Sequence, residues 1–235
     1  MSTTIIPASQ RHFTDMGWLQ TYWLFSFSDY YDPTNMGHGK LRVFNDDVVR
    51  PGTGFPTHPH EEMEIVTIVL AGEISHKDSM GNGGIIRAGE VQRMSAGTGL
   101  THSEYNQADR DLQFYQIWIL PDERGLAPSY EQKAFALDDF KNVLFPLASG
   151  QNHGGAVSFH TDATIYRSRL DAHRQLEHCS STDRKLFVYL TSGRLQVNGD
   201  MLTAKDQVRL DGVDRLALDA DQDADFILID VPADG

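Results

Sequence analysis

Short runs of β-forming residues, broken by Gly, Pro, Asn or Asp, recur along nearly the whole chain and leave an all-β architecture as the consistent solution. The candidate strands are 41–49, 63–73, 84–87, 90–95 and 112–120, then 156–160, 165–170, 185–190, 194–197 and 226–231. Turn signals fall roughly every 8–12 residues, the spacing of a β-sandwich or barrel. Met80-Gly81-Asn82-Gly83-Gly84 and Val197-Asn198-Gly199-Asp200 carry Asn-Gly pairs, whose tolerance of positive φ suits two-residue hairpins. Helical periodicity is confined to a single turn near 137–140.

The chain echoes itself. Leu70-Ala71-Gly72-Glu73-Ile74 parallels Leu190-Thr191-Ser192-Gly193-Arg194-Leu195, each ending one strand at a Gly and opening another. A short strand, an Asn-Gly turn and a second turn follow in both places (Ala88-Gly89-Glu90 and Ala204-Lys205-Asp206). A duplicated domain is predicted, with a boundary in 121–140, where Pro121, Gly125 and Pro128 fall. The expected units are 1–134 and 135–235.

Bulk properties exclude several classes. A net charge of -13 opposes direct nucleic-acid binding, which needs clustered Lys and Arg. No apolar run reaches the roughly 18 residues that span a bilayer, so no membrane role is expected. The first ten residues lack a basic stretch followed by an apolar core, which argues against a signal peptide. The lone Cys179 rules out an internal disulfide framework and fits a reducing cytoplasm. Asp200, Asp206, Asp211, Asp214, Asp219, Asp221, Asp223 and Asp225 read as solvated turns, since the spacing of a calcium loop is missing. A monomer is the default expectation.

The chemistry concentrates in Thr57-His58-Pro59-His60 and Leu100-Thr101-His102-Ser103-Glu104. Residues i and i+2 of a strand share a face. His58 and His60 can therefore aim one way from one strand, and His102 and Glu104 one way from another. If those strands face each other across a small barrel, three imidazoles and a carboxylate converge on a mononuclear metal site. Rival chemistries are weaker. His60-Glu61-Glu62-Met63-Glu64 has Glu where a zinc-protease helix needs its second His. Cys179 beside His178 would point away from it in a strand, and Gly97-Thr98-Gly99 lacks the Lys-Ser/Thr of a phosphate loop.

The frame around these donors resembles a known family. Gly52, then His58-Pro59-His60, then Glu64 is similar to the first cupin signature, and His102 with Asn106 to the second. Trp18-Leu19, Phe25-Ser26-Phe27, Tyr31-Asp32-Pro33, Leu41-Arg42-Val43, Asn45-Asp46-Asp47, Asp78-Ser79, Ser95-Ala96-Gly97-Thr98-Gly99 and His102-Ser103-Glu104-Tyr105-Asn106 narrow the resemblance to the pirin family. Two departures from general cupins, a Glu64-to-Gly72 interval one residue longer and Ser95 in place of Pro, are shared by pirin-like chains. The resemblance implies a bicupin: two tandem double-stranded β-helix barrels, with metal in the first only. His153, His160, His173 and His178 of the second half include no pair at a one-residue gap, in keeping with that. Position by position, the implied ligands are His58, His60, His102 and Glu104. Glu64 is then expected to bond a ligand imidazole or a loop amide.

Such a set suits Fe(II), Ni(II), Co(II), Mn(II), Cu(II) or Zn(II), with Fe(II) the first expectation from the resemblance. Four protein ligands leave room for substrate or dioxygen. Phe44, Phe55, Met63, Met94, Tyr115 and Trp118 are the barrel core, of which some could form a flat apolar slot. The resemblance further implies quercetin 2,3-dioxygenase activity, opening a flavonol ring with release of carbon monoxide. Glu104 would serve as general base toward the flavonol hydroxyl. The alternative from the same family is a metal- or redox-sensing regulator that binds a transcription factor or metabolic enzyme. The acidic surface would then favour a basic protein partner.

Overall fold

A computed structural model of the chain describes residues 2–233. The first half contributes β1 (Ser2–Ile6), β2 (His12–Asp15), β3 (Leu19–Trp23), β4 (Leu41–Val49), β5 (Thr53–His60), β6 (Glu64–Ala71), β7 (Glu73–Asp78), β8 (Gly83–Arg87), β9 (Glu90–Ser95), β10 (Leu100–Asn106), β11 (Leu112–Ile119) and β12 (Ser129–Ala134). The second half contributes β13 (Phe145–Ser149), β14 (Val157–Ser158), β15 (Thr164–Leu170), β16 (Gln175–Cys179), β17 (Arg184–Ser192), β18 (Arg194–Val197), β19 (Asp200–Thr203), β20 (Gln207–Asp211), β21 (Arg215–Ala220) and β22 (Ala224–Pro232). The expected helical turn is present as a short 3₁₀ segment, Leu137–Phe140. The single strand expected over 63–73 is two, because Gly72 takes φ +74° between them. The expected 156–160 strand shrinks to Val157–Ser158.

The echo in the sequence is a duplication of topology. One sheet runs β12-β9-β6-β11-β4-β3-β2 and closes on β5-β10-β7-β8; the other runs β1-β20-β17-β22-β15-β13-β14 and closes on β16-β21-β18-β19. Gly72 and Gly193 occupy equivalent places. Both have positive φ, and a Cβ would strike the backbone carbonyl of Asp111 at 2.8 Å in one case and of Asp223 at 1.8 Å in the other. The outer edge strands come from elsewhere in the chain. β1 pairs with β20, Ser2 opposite Asp211, so the first strand of the chain completes the second barrel. β12, in the connection between the halves, completes the first.

Strand parity divides the core in two. On β4, Phe44 and Asp46 face the other barrel, whereas Val43, Asn45, Asp47 and Val49 face their own interior. The shared layer joins Phe44, Val66, Ile68, Tyr115 and Ile117 to Phe187, Tyr189, Ile227 and Ile229. Asp46 is buried within that layer's polar edge and accepts from Tyr189 Oη (2.7 Å), Lys205 Nζ (2.8 Å) and Arg11 Nη1 (3.5 Å). Inside the second barrel the packing is aliphatic, built on Leu195, Val197, Leu202, Leu210, Leu216 and Leu218. Leu216 stands opposite His178 on the strand pair that corresponds to β10 and β5. The first barrel instead carries a buried polar belt: Thr21, Asn45, Asp47, Thr67, His76, Gln92, His102 and Glu104. The late acidic residues are not all solvated turns. Asp206 is buried and accepts from Ala8 N (2.7 Å) and from Thr203 N and Oγ1, and Asp225 pairs with Arg167 at 2.7 Å.

Candidate metal centre

The two donor strands do not face each other across the barrel, as the sequence pattern led one to expect. They are neighbours: β5 pairs antiparallel with β10, His102 directly opposite His58. The register then slips, and Glu104 pairs with Phe55 rather than Pro56, so β5 bulges over Pro56 and Thr57. A bulge bends its strand and re-aims side chains. Here it falls between the two levels of donors. Pro56 and Pro59 are tolerated because β5 is the edge of its sheet, where a missing N–H breaks no ladder on the free side.

Three imidazoles meet. Ring centroids lie 4.4 Å apart for His58 and His102, 4.8 Å for His58 and His60, and 4.9 Å for His60 and His102. Their ligand nitrogens form one cluster within 4.8 Å of one another. Glu104 joins a second such cluster, with His102 and His76, so His102 is the hinge between the two groups. His76 was not singled out in the sequence. It reaches the site because β7 flanks β10 on the other side, with His76 opposite Glu104. Asp78 accepts from His76 Nε2 at 3.4 Å and is itself held by Met80 N, Asn82 N and Asn82 Nδ2.

The donors fit a divalent cation. Both ring nitrogens of His102 are buried without a hydrogen-bond partner. His58 Nδ1 lies 2.8 Å from the carbonyl of Pro56; donation there leaves Nε2 as the free lone pair. Burial, with His58 adding, pulls His60 down to about 4. Burial, helped by His58, His60 and His76, pulls His102 down to about 2. Both rings are thus neutral, as ligation requires. Burial pushes Glu104 up to about 7, opposed by hydrogen bonds from Gln116 Nε2 (3.2 Å) and Gln92 Nε2 (3.5 Å). A cation beside this carboxylate would favour its ionised form. The two glutamines also escaped the sequence pattern, although Phe114, Gln116 and Trp118 alternate on the inner face of β11.

Glu64 does not bond a ligand imidazole or a loop amide. It shares the parity of Val66 and Ile68, which face the other barrel. Its carboxylate accepts from Ser95 Oγ at 2.6 Å and lies 3.2 Å from Nδ1 of His160, a residue of the second half. Beside the imidazoles opens a cavity of about 320 Å³, lined by Trp18, Trp23, Phe27, Phe55 and Trp118, with Asn45, Asp47 and Gln116 as its polar wall. Of the apolar residues named from sequence, Phe55 and Trp118 line it. Phe44 and Tyr115 lie in the layer between barrels, and Met94 packs with Ile65, Ala96 and Leu100, with Met63 against them.

Two tandem barrels of this topology, with a histidine-rich centre in the first, define a bicupin. The chain belongs to the pirin family. The Pirin family description matches residues 7–119, and one described as the quercetinase C-terminal cupin domain matches residues 146–231. The chain is 41% identical over 227 residues to a quercetin 2,3-dioxygenase of Escherichia coli (strain K12), covering 96% of each. It is 41% identical over 217 residues to a pirin-like protein of Caulobacter vibrioides, covering 92% and 94%. Among solved structures, the bacterial pirin YhhW of Escherichia coli in complex with nickel(II) superposes with a TM-score of 0.93 at 39% identity, over 98% of this chain and 99% of that one. The quercetinase cupin family implies a divalent metal. No helix of the described residues is long and apolar enough to cross a membrane.

Proposed function

We propose that this protein is a metal-dependent dioxygenase that cleaves a flavonol such as quercetin with dioxygen and releases carbon monoxide. One observation carries it: a cluster of imidazoles, with a buried carboxylate behind it, lies beside an aromatic-walled cavity of about 320 Å³. The name of the Escherichia coli relative, a quercetin 2,3-dioxygenase, supports the same reading over the regulatory alternative. In this proposal His58, His60, His102 and Glu104 hold one divalent ion, iron(II) first among the candidates, and the unit ending near residue 134 carries the chemistry. When bound, the ion supplies Lewis acidity that lowers the pKa of a coordinated hydroxyl. The protein does the rest. Trp18, Trp23 and Phe55 hold the planar ligand and exclude water. Glu104 accepts the proton of the flavonol hydroxyl, its free orientation restrained by the amides of Gln92 and Gln116.

Oxygen uptake by iron-loaded protein supplied with quercetin tests the activity. Glu104→Gln should retain most of the metal, by elemental analysis, yet lose about a hundredfold or more in turnover, the usual worth of a general base. Flavonol consumption unchanged in Glu104→Gln would remove the base; no uptake by the unsubstituted protein with any of the candidate metals would remove the enzyme.

A further inference from the structure

β4 turns two polar side chains into the first barrel for which the proposed chemistry has no task. Asn45 and Asp47 are each 2% exposed, and Oδ1 of each is buried without a hydrogen-bond partner. Both line the aromatic cavity beside His58 and His60. Trp118, on the same cavity, has a buried Nε1 in the same condition. Each unmet group of this kind costs about 1–3 kcal/mol, and native interiors rarely keep several together. Neighbouring polar groups are close by and make no bond to Asn45: the register sets it opposite Gln116 on β11, yet Gln116 donates to Glu104 instead. The cavity wall thus holds two unmet acceptors and one unmet donor, with Asn45 opposite the Gln116 that bonds Glu104.

We infer that Asn45, Asp47 and Trp118 are specificity-determining residues that read ring hydroxyls of an aromatic ligand. The two side-chain oxygens accept from phenolic O–H groups, and the indole N–H donates to a phenolic oxygen. The ligand class is a planar aromatic bearing hydroxyls beyond those that face Glu104. A site built to bond hydroxyls discriminates strongly against analogues lacking them, because its own buried groups then stay unpaired. This inference rests on the proposed flavonol site and adds to it what the substrate must carry.

All three tryptophans of the chain, Trp18, Trp23 and Trp118, line the cavity, so their emission reports its occupancy without turnover. Quenching should be titrated with quercetin and with the parent flavonol that lacks hydroxyls on its outer rings. Unsubstituted protein should prefer quercetin. Asn45→Ala and the shape-keeping Asn45→Leu and Asp47→Leu should each weaken quercetin about fivefold or more and leave the parent flavonol within about twofold, in line with one lost hydrogen bond. Equal weakening of both compounds, or of neither, would overturn the hydroxyl-reading wall while leaving the flavonol site intact. Failure of either compound to bind the unsubstituted protein would remove the flavonol site, and the wall with it.

Discussion

Burial acts in opposite directions on the acids and bases of this centre, and the consequence is measurable. His60 and His102 sit far below the ordinary 6.5, at about 4 and about 2. Below 6.5 the unfolded chain binds protons that the fold refuses, so these two stabilise the metal-free protein less as pH falls from 6.5. Glu104 and Asp47 are raised by burial to about 7 and about 8, from 4.5 and 3.8. The fold holds their protons longer than the unfolded chain does, so stability falls as pH rises through that window. From 6.5 to about 8 the acids act alone. The metal-free melting temperature should therefore decline across that interval, and a divalent cation should flatten the decline by favouring ionised Glu104. Melting curves at both ends, with and without chelator, check this; parallel slopes would contradict it. At this scale the sequence offered His58, His60, His102 and Glu104 as donors, because i and i+2 parity needs no knowledge of the partner strand. His76, Gln92, Gln116, Asn45 and Asp47 stayed hidden, since each becomes part of the site only through the strand beside it. Glu64 was misplaced for the same reason: spacing along the chain does not say which barrel a face meets.

Elements carry the register that those residues need. The β5–β10 pair is held unusually close at Gly54, where a Cβ would meet the carbonyl of Glu104 at 2.2 Å and Cα of Tyr105 at 2.5 Å. Gly54→Ala adds one methyl and touches no donor, yet it must push β5 away from β10. A loss of about 1–3 kcal/mol in stability is expected from such overpacking. Metal affinity should fall about 10–100-fold, as it does when groups that orient ligands are disturbed. Isothermal titration with nickel(II) would show it; unchanged affinity would mean that the strands tolerate the shift. Many strands were legible from turns and alternation, but β3, β20 and β21, which lie inside their sheets, were not among the candidates. The short edge strands β1 and β2 were not, because an edge buries too little apolar surface to leave a periodic pattern.

Across the whole molecule, the two barrels share one apolar layer rather than touching through a polar interface. Neither can expose that layer without losing it, so calorimetry should record one cooperative transition, and two separate peaks would show independent folding. Asp46 is the polar pin of this junction, with Tyr189, Lys205 and Arg11 all donating to it. Asp46→Ala should cost about 3 kcal/mol, as removal of one member of a buried ion pair does, and should lower that one transition without splitting it. The duplication itself was visible in the Gly72 and Gly193 echo, but the common layer was not, because it is written in alternate residues of strands far apart in the chain.

The crossed edge strand has a consequence for synthesis. Ser2–Ile6 is synthesised long before its partner Gln207–Asp211. The histidine-bearing barrel, whose own edge, Ser129–Ala134, arrives early, can close while the rest is still being made; its companion must wait to recapture a segment synthesised far earlier. Substitutions in Ser2–Ile6 would thus be felt in the second barrel, as slower maturation.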